Sequence, residues 1–474
     1  MKHNTIKNPT NRNILIATCM FLAIFIGMIG YLIHFSATKG SDIINNSYNK
    51  RQEILAKKVI RGSLLSSDGS VLATTITDAD GNETRYYPNN NLLSHVIGYT
   101  GNGGSGLENT AAYYMLTSND NIWTRISNDL TGKKDAGDNV VTTLDIELSR
   151  AAYEALGSNI GSVVIMEPST GKILTMVSTP DFNPNKIEAD WSNIVSDNES
   201  SILLNRASQG LYPPGSTFKL VTMLEYIREN PDTYVDYSYN CTGKYVLGDN
   251  TISCSQQKVH GVQNLEQSLA NSCNGSFINM GLTLNKEGYQ NTAEDLLFNS
   301  GLPLNMEYSE SRFVLSETST EWETAQTAFG QGKTLVTPVH LAFICSAIAN
   351  NGKLMCPYMI DSVVSVDNQL VKQFKSKPYG NLMTEKEAEI IATAMESVVN
   401  TSFGWLFGTS DYSVAAKSGT AQYGTLGYEH SLFVSYSPVE DPEIAVVVVL
   451  EGGPQQNTNA ASVAKEIYDF YYSR

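Results

Sequence analysis

The apolar residues of this chain follow three successive patterns, and each pattern predicts a different kind of structure. An almost unbroken apolar run, Ile14 to Phe35, is long enough to cross the roughly 30 Å hydrocarbon core of a bilayer. From residue 40 to about residue 139 the sequence is polar and rich in turn residues. Beyond residue 140, strand-like runs lie at both ends and helix-like runs fill the middle. The chain is therefore predicted to contain a membrane anchor, a small membrane-proximal module and one large domain.

The charges around the apolar run predict the orientation of the anchor. Three Lys or Arg residues precede the run, and only Lys39 follows it closely. Because basic residues favour the cytoplasmic side, residues 1–12 are expected to be a cytoplasmic tail and residues 13–36 a transmembrane anchor. A cleaved signal peptide would have a shorter apolar region of about 7–15 residues. We therefore predict a single-pass protein of the cell membrane, with residues 37–139 and 140–474 outside the cytoplasm.

The large domain is predicted to be α+β. A hairpin is expected at its start, and three further strands and a final helix at its end, with a long helical stretch between them. An antiparallel sheet built from both ends of the domain would then be flanked by helices and joined to a helical subdomain. The active site is expected between the sheet and the helical part. The predicted elements are strands 162–167, 172–177, 412–423, 431–436 and 443–450, and helix 460–472.

Charge and cysteine content limit the functions to be considered. The net charge is −16 and the basic residues are scattered, so no nucleic-acid partner is expected. Of the six cysteines, Cys19 lies in the apolar run, which leaves an odd number outside the membrane and at least one unpaired thiol. Cys241 and Cys254 flank a glycine-containing loop and could form a disulfide. No Cys/His spacing and no His-Glu-x-x-His motif predicts a metal site, and no cofactor is expected.

The strongest candidate for chemistry is the stretch Tyr212-Pro-Pro-Gly-Ser-Thr-Phe-Lys219. Ser-x-x-Lys occurs six times in the chain, but only Ser216 follows a Pro-Pro-Gly turn and precedes a buried helix. Residues i and i+3 share a helix face, so the Lys219 amine, if desolvated and neutral, can take the Ser216 proton. The helix N-terminus would also direct backbone N–H groups towards a developing oxyanion.

Two later stretches supply groups that acyl transfer requires. Ser272 and Asn274 follow a predicted helix, Leu265 to Ala270, and Lys417 lies in an otherwise apolar strand. A lysine in such a strand is costly unless it is functional, and Gly419 would leave room for a substrate backbone alongside.

The order Ser-x-x-Lys, Ser-x-Asn, Lys-Ser-Gly-Thr resembles the motif set of penicillin-binding proteins. The chain resembles a class B penicillin-binding protein, a monofunctional peptidoglycan D,D-transpeptidase with a serine β-lactamase/transpeptidase-like domain. Ser418 stands where threonine is commoner, and its hydroxyl keeps the function. Ser196-Asp-Asn198 and Ser238-Tyr-Asn240 lack the surroundings of the second motif. Further shared motifs are Arg61-Gly62, Asp68-Gly69, Gly106-Leu-Glu108, Asn205-Arg206, His260-Gly261, Gly330-Gln-Gly332 and Thr337-Pro338.

The resemblance implies a role for each motif residue. Ser216 would be the acylated nucleophile and Lys219 its base, while Ser272 and Lys417 would relay the proton to the leaving D-alanine. Asn274 would hold the substrate amide. The substrate carboxylate would bind along the third motif, and the oxyanion hole would consist of two backbone N–H groups. The carboxylate-binding residues are Ser418, Gly419 and Thr420, and the oxyanion donors are Ser216 and Thr420.

The remaining motif residues are expected to have structural roles. Cys273 would be an unpaired spacer, His260 and His430 would be structural, and Gly330-Gln-Gly332 would be a turn.

The resemblance also implies partners. They are peptidoglycan stem peptides (a D-Ala-D-Ala donor and an amine acceptor), β-lactam antibiotics, the membrane, and a membrane glycosyltransferase of the division or sporulation machinery, because residues 37–139 are too few to hold that activity. Three alternatives remain open: a membrane-anchored β-lactam sensor, a non-catalytic scaffold for wall synthesis, and a β-lactamase. The last would need a water-activating base, and no Glu-x-x-Leu-Asn is placed to supply one.

Overall fold

A computed structural model describes residues 9–44, 54–197, 200–423, 427–454 and 456–474. The first element is a single helix, Pro9–Ile44. Its segment Asn13–Phe35 has a mean hydropathy of 2.4 and none of it is buried against the rest of the chain. A helix that is apolar on all sides and not buried against the rest of the protein is typical of a membrane span. This segment of 23 residues is also long enough to cross a bilayer. This agrees with the predicted membrane anchor.

The membrane-proximal region is a set of short elements. The hairpin predicted around Asp68-Gly69 is present, because Leu64–Leu65 pairs antiparallel with Val71–Thr77 and Gly69 has a positive φ of 86°. The other elements are strands Val59–Ile60, Glu83–Tyr86 and Asp135–Ala136, and helices Ser94–Ile97, Gly106–Thr110, Ala112–Met115 and Ile122–Thr131.

Two of the sequence motifs meet in this region through a buried carboxylate. Glu108 is 1% exposed and lies between two guanidinium groups. Its Oε2 is 2.6 Å from Arg61 Nη1, and its Oε1 is 2.7 Å from Arg85 Nε. Burying a carboxylate is costly unless its charge is paired and its oxygens accept hydrogen bonds. Here each oxygen of Glu108 contacts one guanidinium group. Glu108 therefore connects the start of the region to its second hairpin.

A six-stranded sheet joins the proximal region to the large domain. Asn139–Thr142 pairs parallel with Leu64–Leu65 on one side and antiparallel with Ile360–Val364 on the other. Both regions also contribute to one continuous hydrophobic core. The strand order is Leu370–Gln373, Ile360–Val364, Asn139–Thr142, Leu64–Leu65, Val71–Thr77, Glu83–Tyr86.

The centre of the large domain is a five-stranded antiparallel sheet, and its strands come from both ends of the domain as predicted. Two of the three inner strands, Gly161–Met166 and Ile444–Leu450, are buried along their whole length, which requires cover on both faces of the sheet. Helices Ile146–Leu156, Pro338–Ala349, Glu385–Val398 and Ala460–Ser473 provide that cover. The strand order is Ala415–Tyr423, Tyr428–Ser437, Ile444–Leu450, Gly161–Met166, Ile173–Thr179. The α+β prediction is confirmed.

The middle of the domain is mainly helical, but it also contains small strand pairs that the sequence pattern did not predict. Tyr239–Cys241 pairs with Gly261–Gln263, Lys244–Leu247 with Asn250–Ser253, and Lys353–Met355 with Pro378–Asn381. The remaining helices are Ile187–Ser196, Lys219–Glu229, Leu265–Ala270, Asn274–Thr283, Lys286–Asp295, Glu321–Ala328 and Gly404–Phe407.

Candidate active site

The turn that carries Ser216 lies against the edge of the central sheet. A 3-10 turn, Gly215–Phe218, precedes the α-helix Lys219–Glu229, so Ser216 lies just before the first α-helical turn. Gly215 has a φ of 53°, and a Cβ there would lie 2.6 Å from the carbonyl oxygen of Thr420. Only glycine allows this approach. Ser216 is half-buried, whereas the three residues after it are buried.

Lys219 is directed from the start of this helix towards the second motif. Its side chain is fully buried, and Nζ donates to the Ser272 carbonyl oxygen at 2.7 Å, to Ser272 Oγ at 3.1 Å and to Asn274 Oδ1 at 2.7 Å. Burial lowers the pKa of Lys219 to about 7, against a smaller opposing effect of Cys273 and Cys254. Within the part of the chain that the structure describes, no hydrogen bond joins Lys219 to Ser216. A pKa near 7 leaves a large fraction of this amine uncharged at neutral pH, and an uncharged amine is chemically able to accept a proton.

Lys417 approaches the same hydroxyl from the sheet. It is fully buried in strand Ala415–Tyr423, and its Nζ lies 3.1 Å from Ser272 Oγ and 2.8 Å from the Ser418 carbonyl oxygen. Burial first, and then the charge of Lys219, lower the pKa of Lys417 well below its usual range. A hydroxyl has two lone pairs and one proton, so Ser272 can exchange protons with either amine.

The backbone around Ser272 is unusual, and it sets the position of Asn274. Ser272 has a φ of 48°, in the left-handed region that a non-glycine residue rarely adopts. Asn274 begins the helix Asn274–Thr283. Its Nδ2 donates to the Ser253 carbonyl oxygen at 2.9 Å while its Oδ1 accepts from Lys219. Both ends of the amide are therefore fixed.

The third motif lies on a strand that ends the sheet. Ala415–Tyr423 pairs only with Tyr428–Ser437 among the described strands, with Ser418 opposite Phe433 and Thr420 opposite Ser431. Thr420 is exposed and Ser418 is half-buried. The space beside Gly419 is filled by the nucleophile turn, since a Cβ there would lie 2.9 Å from the Pro214 carbonyl oxygen. The missing side chain of Gly419 therefore accommodates this turn, and pairing of a substrate backbone along the outer edge of the strand stays a prediction.

Comparisons with known proteins agree with this geometry. Residues 161–469 match the model of the penicillin binding protein transpeptidase domain, which is more than half of the chain. The chain belongs to this transpeptidase family. Residues 61–140 of the transpeptidase also match the penicillin binding protein A dimerisation domain.

Two similar proteins match most of the chain. Peptidoglycan D,D-transpeptidase PbpA of Mycolicibacterium smegmatis is 28% identical over 437 residues, which cover 85% of this chain and 86% of that protein. Stage V sporulation protein D of Bacillus subtilis is 29% identical over 396 residues, which cover 77% of this chain and 60% of that protein. The sequence-based resemblance to penicillin-binding proteins is confirmed.

Solved structures share the fold. The D,D-transpeptidase domain of a peptidoglycan glycosyltransferase from Eggerthella lenta has a TM-score of 0.76 at 28% identity, covering 87% of this chain and 98% of that one. The ceftriaxone acyl-enzyme complex of penicillin-binding protein A from M. tuberculosis has a TM-score of 0.79 at 24% identity, covering 88% and 99%.

The motif Gly330-Gln-Gly332 contacts the site directly through Gly330 and Gln331, beyond the simple turn that was expected. The carbonyl oxygen of Gly330 accepts a 2.9 Å hydrogen bond from the Gly215 N–H, and a Cβ on Gly330 would lie 1.7 Å from the Gly215 carbonyl oxygen. Gln331 Nε2 lies 3.4 Å from the Thr420 carbonyl oxygen. This motif therefore supports the nucleophile turn and the third motif together.

Tyr212 is fixed from the opposite end of the chain. Its hydroxyl donates to Glu451 Oε1 at 2.8 Å, and Arg206 Nε lies 2.8 Å from the same oxygen. His430 packs edge-on against the Tyr212 ring and accepts a hydrogen bond from the Gly452 N–H. No sequence signal pointed to Glu451, because it follows the last strand of the sheet, far from Tyr212 in the chain.

The structure answers one open question about the cysteines and corrects one expectation. All six are free thiols, and the Sγ atoms of Cys241 and Cys254 are 3.7 Å apart, beyond the roughly 2.05 Å of a disulfide. Cys273 is free as expected but is not a spacer. Its buried sulfur caps the Asn274–Thr283 helix by accepting from the Ser276 N–H, and it lies 3.8 Å from Cys254 Sγ.

Proposed function

We propose that this transpeptidase is a peptidoglycan D,D-transpeptidase that cross-links stem peptides through an acyl-enzyme on Ser216. The observation that supports it most strongly is the sharing of Ser272 Oγ by two buried amines, Lys219 and Lys417, next to the turn that presents Ser216. Two amines whose charge is disfavoured by burial can accept and return protons near neutral pH.

The proposed acylation step uses these groups in sequence. Ser216 Oγ attacks the carbonyl carbon of the penultimate D-alanine, and its proton passes to the neutral amine of Lys219. The backbone N–H groups of Ser216 and Thr420 would stabilise the resulting oxyanion. The C–N bond to the terminal D-alanine then breaks, and the leaving amine takes a proton through Ser272 and Lys417. The released D-alanine carboxylate would have been held by Ser418 and Thr420 at the sheet edge.

Transfer to the acceptor reverses these roles. An amine of a neighbouring stem peptide attacks the ester carbonyl, loses a proton to the same relay, and Ser216 regains its proton as the ester bond breaks. A β-lactam would follow only the first half, because its amide nitrogen stays tethered after the ring opens. Consistent with this, penicillin-binding protein A of M. tuberculosis has been solved as acyl-enzyme complexes with ceftriaxone, imipenem and penicillin G.

The first test is covalent labelling of the full chain in detergent. Penicillin G should add one drug mass to the peptide that contains Ser216, and Ser216→Ala should remove the adduct. Ser462→Ala is the matched control, because Ser462 begins another Ser-x-x-Lys at a helix N-terminus and should label normally. Absence of an adduct in the unmodified protein would favour a non-catalytic scaffold. Rapid release of hydrolysed drug would instead favour a β-lactamase.

A second test separates an enzyme from a sensor. A pentapeptide donor ending in D-Ala-D-Ala and an amine acceptor should yield free D-alanine and the joined peptide, and both should vanish with Ser216→Ala. An adduct with β-lactam but no such reaction across several acceptors would favour a membrane-anchored sensor. D-Alanine release without joined peptide would identify a carboxypeptidase.

We also propose that the N-terminus is cytoplasmic and that residues beyond Lys39 lie outside, because the basic residues precede the apolar segment. Protease added to intact protoplasts should then digest the transpeptidase domain, and full protection would contradict the orientation. A membrane glycosyltransferase is the expected partner. A photo-crosslinker at Trp123, which is 75% exposed in the membrane-proximal region, should capture it, whereas one at Val246 in the large domain should not.

A further inference from the structure

Four potential metal ligands converge behind the second motif. Cys241, Cys254, His260 and Cys273 each offer one ligand atom, and these atoms lie within 4.8 Å of one another. The Sγ atom of Cys254 lies 3.7 Å from that of Cys241 and 3.8 Å from that of Cys273. The Sγ atom of Cys241 lies 3.3 Å from His260 Nδ1. The three cysteines are buried and the histidine is half-buried. The sequence predicted no metal site, because none of these residues forms a closely spaced pair.

The three separations given above are close to those of a tetrahedral zinc site. With Zn–S bonds of about 2.3 Å and a Zn–N bond of about 2.0 Å, tetrahedral angles place sulfurs about 3.8 Å apart and a sulfur about 3.5 Å from the nitrogen. Cys254 is at this distance from two sulfurs at once, so disulfide formation cannot account for the arrangement. Three cysteines and one histidine are a common structural zinc set.

The segment that holds these ligands needs an additional source of stability. It consists of two small strand pairs, Tyr239–Cys241 with Gly261–Gln263 and Lys244–Leu247 with Asn250–Ser253. Three of its apolar side chains, Val246, Val259 and Val262, face solvent and are exposed by 60%, 64% and 72%. Its buried cluster is formed by the three cysteines, with Tyr239 packed against them. Small units without an apolar core are commonly stabilised by a metal.

Two of the cysteine sulfurs accept hydrogen bonds from backbone N–H groups, as metal-bound thiolates commonly do. The backbone N–H of Gly243 points to Cys241 Sγ at 3.4 Å, and that of Ser276 to Cys273 Sγ at 3.4 Å. Such outer interactions orient ligands and balance thiolate charge. Gly243 has a φ of 86°, and a Cβ there would lie 2.6 Å from the Gln257 carbonyl oxygen, so the tight turn requires glycine.

We propose that Cys241, Cys254, His260 and Cys273 bind one zinc ion that fixes the Ser272–Asn274 segment of the active site. On binding, each cysteine loses its proton to solvent, and the ion accepts electron pairs from three thiolates and from His260 Nδ1.

Two covalent connections link this zinc site to the active site. Cys273 is the residue between Ser272 and Asn274, so a ligand bond would hold the left-handed backbone of Ser272. Cys254 directly follows Ser253, whose carbonyl oxygen accepts from Asn274 Nδ2. The metal ligands are thus positioning residues for the proton relay. This second part of the proposal rests on the proposed function, whereas metal binding itself does not.

Metal content of the full chain, purified in detergent under reducing conditions from zinc-containing medium, tests the site. Plasma mass spectrometry should find one zinc ion per chain. Cys241→Ser and His260→Ala should lose it, and Cys356→Ser, a cysteine outside the cluster, should retain it. No zinc in the unmodified chain, or equal zinc in Cys241→Ser and Cys356→Ser, would overturn the site.

A spectroscopic test avoids variants that fail to fold. The unmodified chain, stripped with a chelator under reducing conditions, should bind Co²⁺ with the intense visible bands of tetrahedral cobalt and the near-ultraviolet bands of thiolate ligation. Added Zn²⁺ should abolish both. Weak bands typical of octahedral cobalt, or a Cys241–Cys254 disulfide in the chain as isolated, would contradict the proposal.

The positioning role has its own readout. Metal-free chain should acylate about 10- to 100-fold more slowly with penicillin than zinc-loaded chain, and restored zinc should restore the rate. Zinc binding with an unchanged acylation rate would refute the positioning role of the ligands, while the zinc site itself would still be supported. No acylation in either form would instead count against the proposed function, so the two failures are distinguishable.

Discussion

The amines of Lys219 and Lys417 come from a helix and a strand, yet both lie 3.1 Å from the same oxygen, Ser272 Oγ. Both are fully buried. Two ammonium groups so close together and away from water would repel each other, and burial already disfavours each charge. The relay can therefore hold fewer protons near neutral pH than two ordinary lysines would.

This arrangement predicts the pH dependence of acylation. The base must be neutral, and the pKa of Lys219 is lowered to about 7, mainly by burial. The acylation rate constant should therefore rise with pH through about 7 and level off above it, in stopped-flow measurements with a chromogenic cephalosporin. Lys219→Arg should be slow at every pH, because arginine stays charged. A flat profile in the unmodified protein would contradict Lys219 as the base.

Removal of the shared hydroxyl should slow chemistry more than binding. Ser272→Ala should reduce the acylation rate constant by about 10²- to 10³-fold, within the range of a lost proton-transfer group, and change the Kd of the initial drug complex much less. Ser169→Ala, an exposed serine in another Ser-x-x-Lys, should match the unmodified protein. An equal loss in both variants, or a loss confined to Kd, would argue against the relay.

Two glycines with the same φ allow steric contact to be separated from backbone strain. Gly330 and Gly332 both have a φ of 86°, but only Gly330 touches the nucleophile turn. Gly332→Ala should lower the free energy of unfolding by about 1–2 kcal/mol, because alanine is strained in a left-handed backbone conformation. Gly330→Ala should additionally displace Gly215 and abolish β-lactam labelling, as measured by thermal unfolding and by adduct mass. Similar behaviour of the two variants would contradict this role for Gly330.

The buried carboxylate of Glu108 should be essential to the proximal region. Glu108→Gln leaves Arg61 and Arg85 without their charged acceptor, and breaking such a pair costs about 3–5 kcal/mol. A large drop in the thermal unfolding midpoint is expected. Glu389→Gln breaks an exposed pair with Lys386 and should leave the midpoint almost unchanged. A small effect of Glu108→Gln would mean that water replaces the carboxylate.

The extent of the sequence-based prediction follows from how local each signal is. Ser216, Ser272 and Lys417 lie in short motifs whose turns and strand are encoded by neighbouring residues, so their elements could be predicted. Gly330 was recognised as a motif, but its contact with Gly215 depends on two distant segments. The packing of Gly419 against the turn at Pro214 was likewise not predicted, since the sequence pattern does not state which element packs against a strand.

The cysteine-containing segment was missed for a different reason. Strands such as Lys244–Leu247 are short and expose part of their apolar residues, so they lack the alternation that marks a half-buried strand. Cys241 and Cys273 are 13 and 19 residues from Cys254 in the chain, and only the folded structure places their sulfurs next to that of Cys254. A search for closely spaced ligand pairs cannot detect such a site.

The six-stranded sheet has a consequence for truncation. A chain that began at residue 140 would lack the strand Leu64–Leu65, which pairs with one edge of the Asn139–Thr142 strand. That edge would then be open. The shortened chain would also lose Leu64 and Leu72 from the common core. The proximal region and the transpeptidase domain are therefore expected to unfold together, as one cooperative unit, even though two family models divide the chain near that residue.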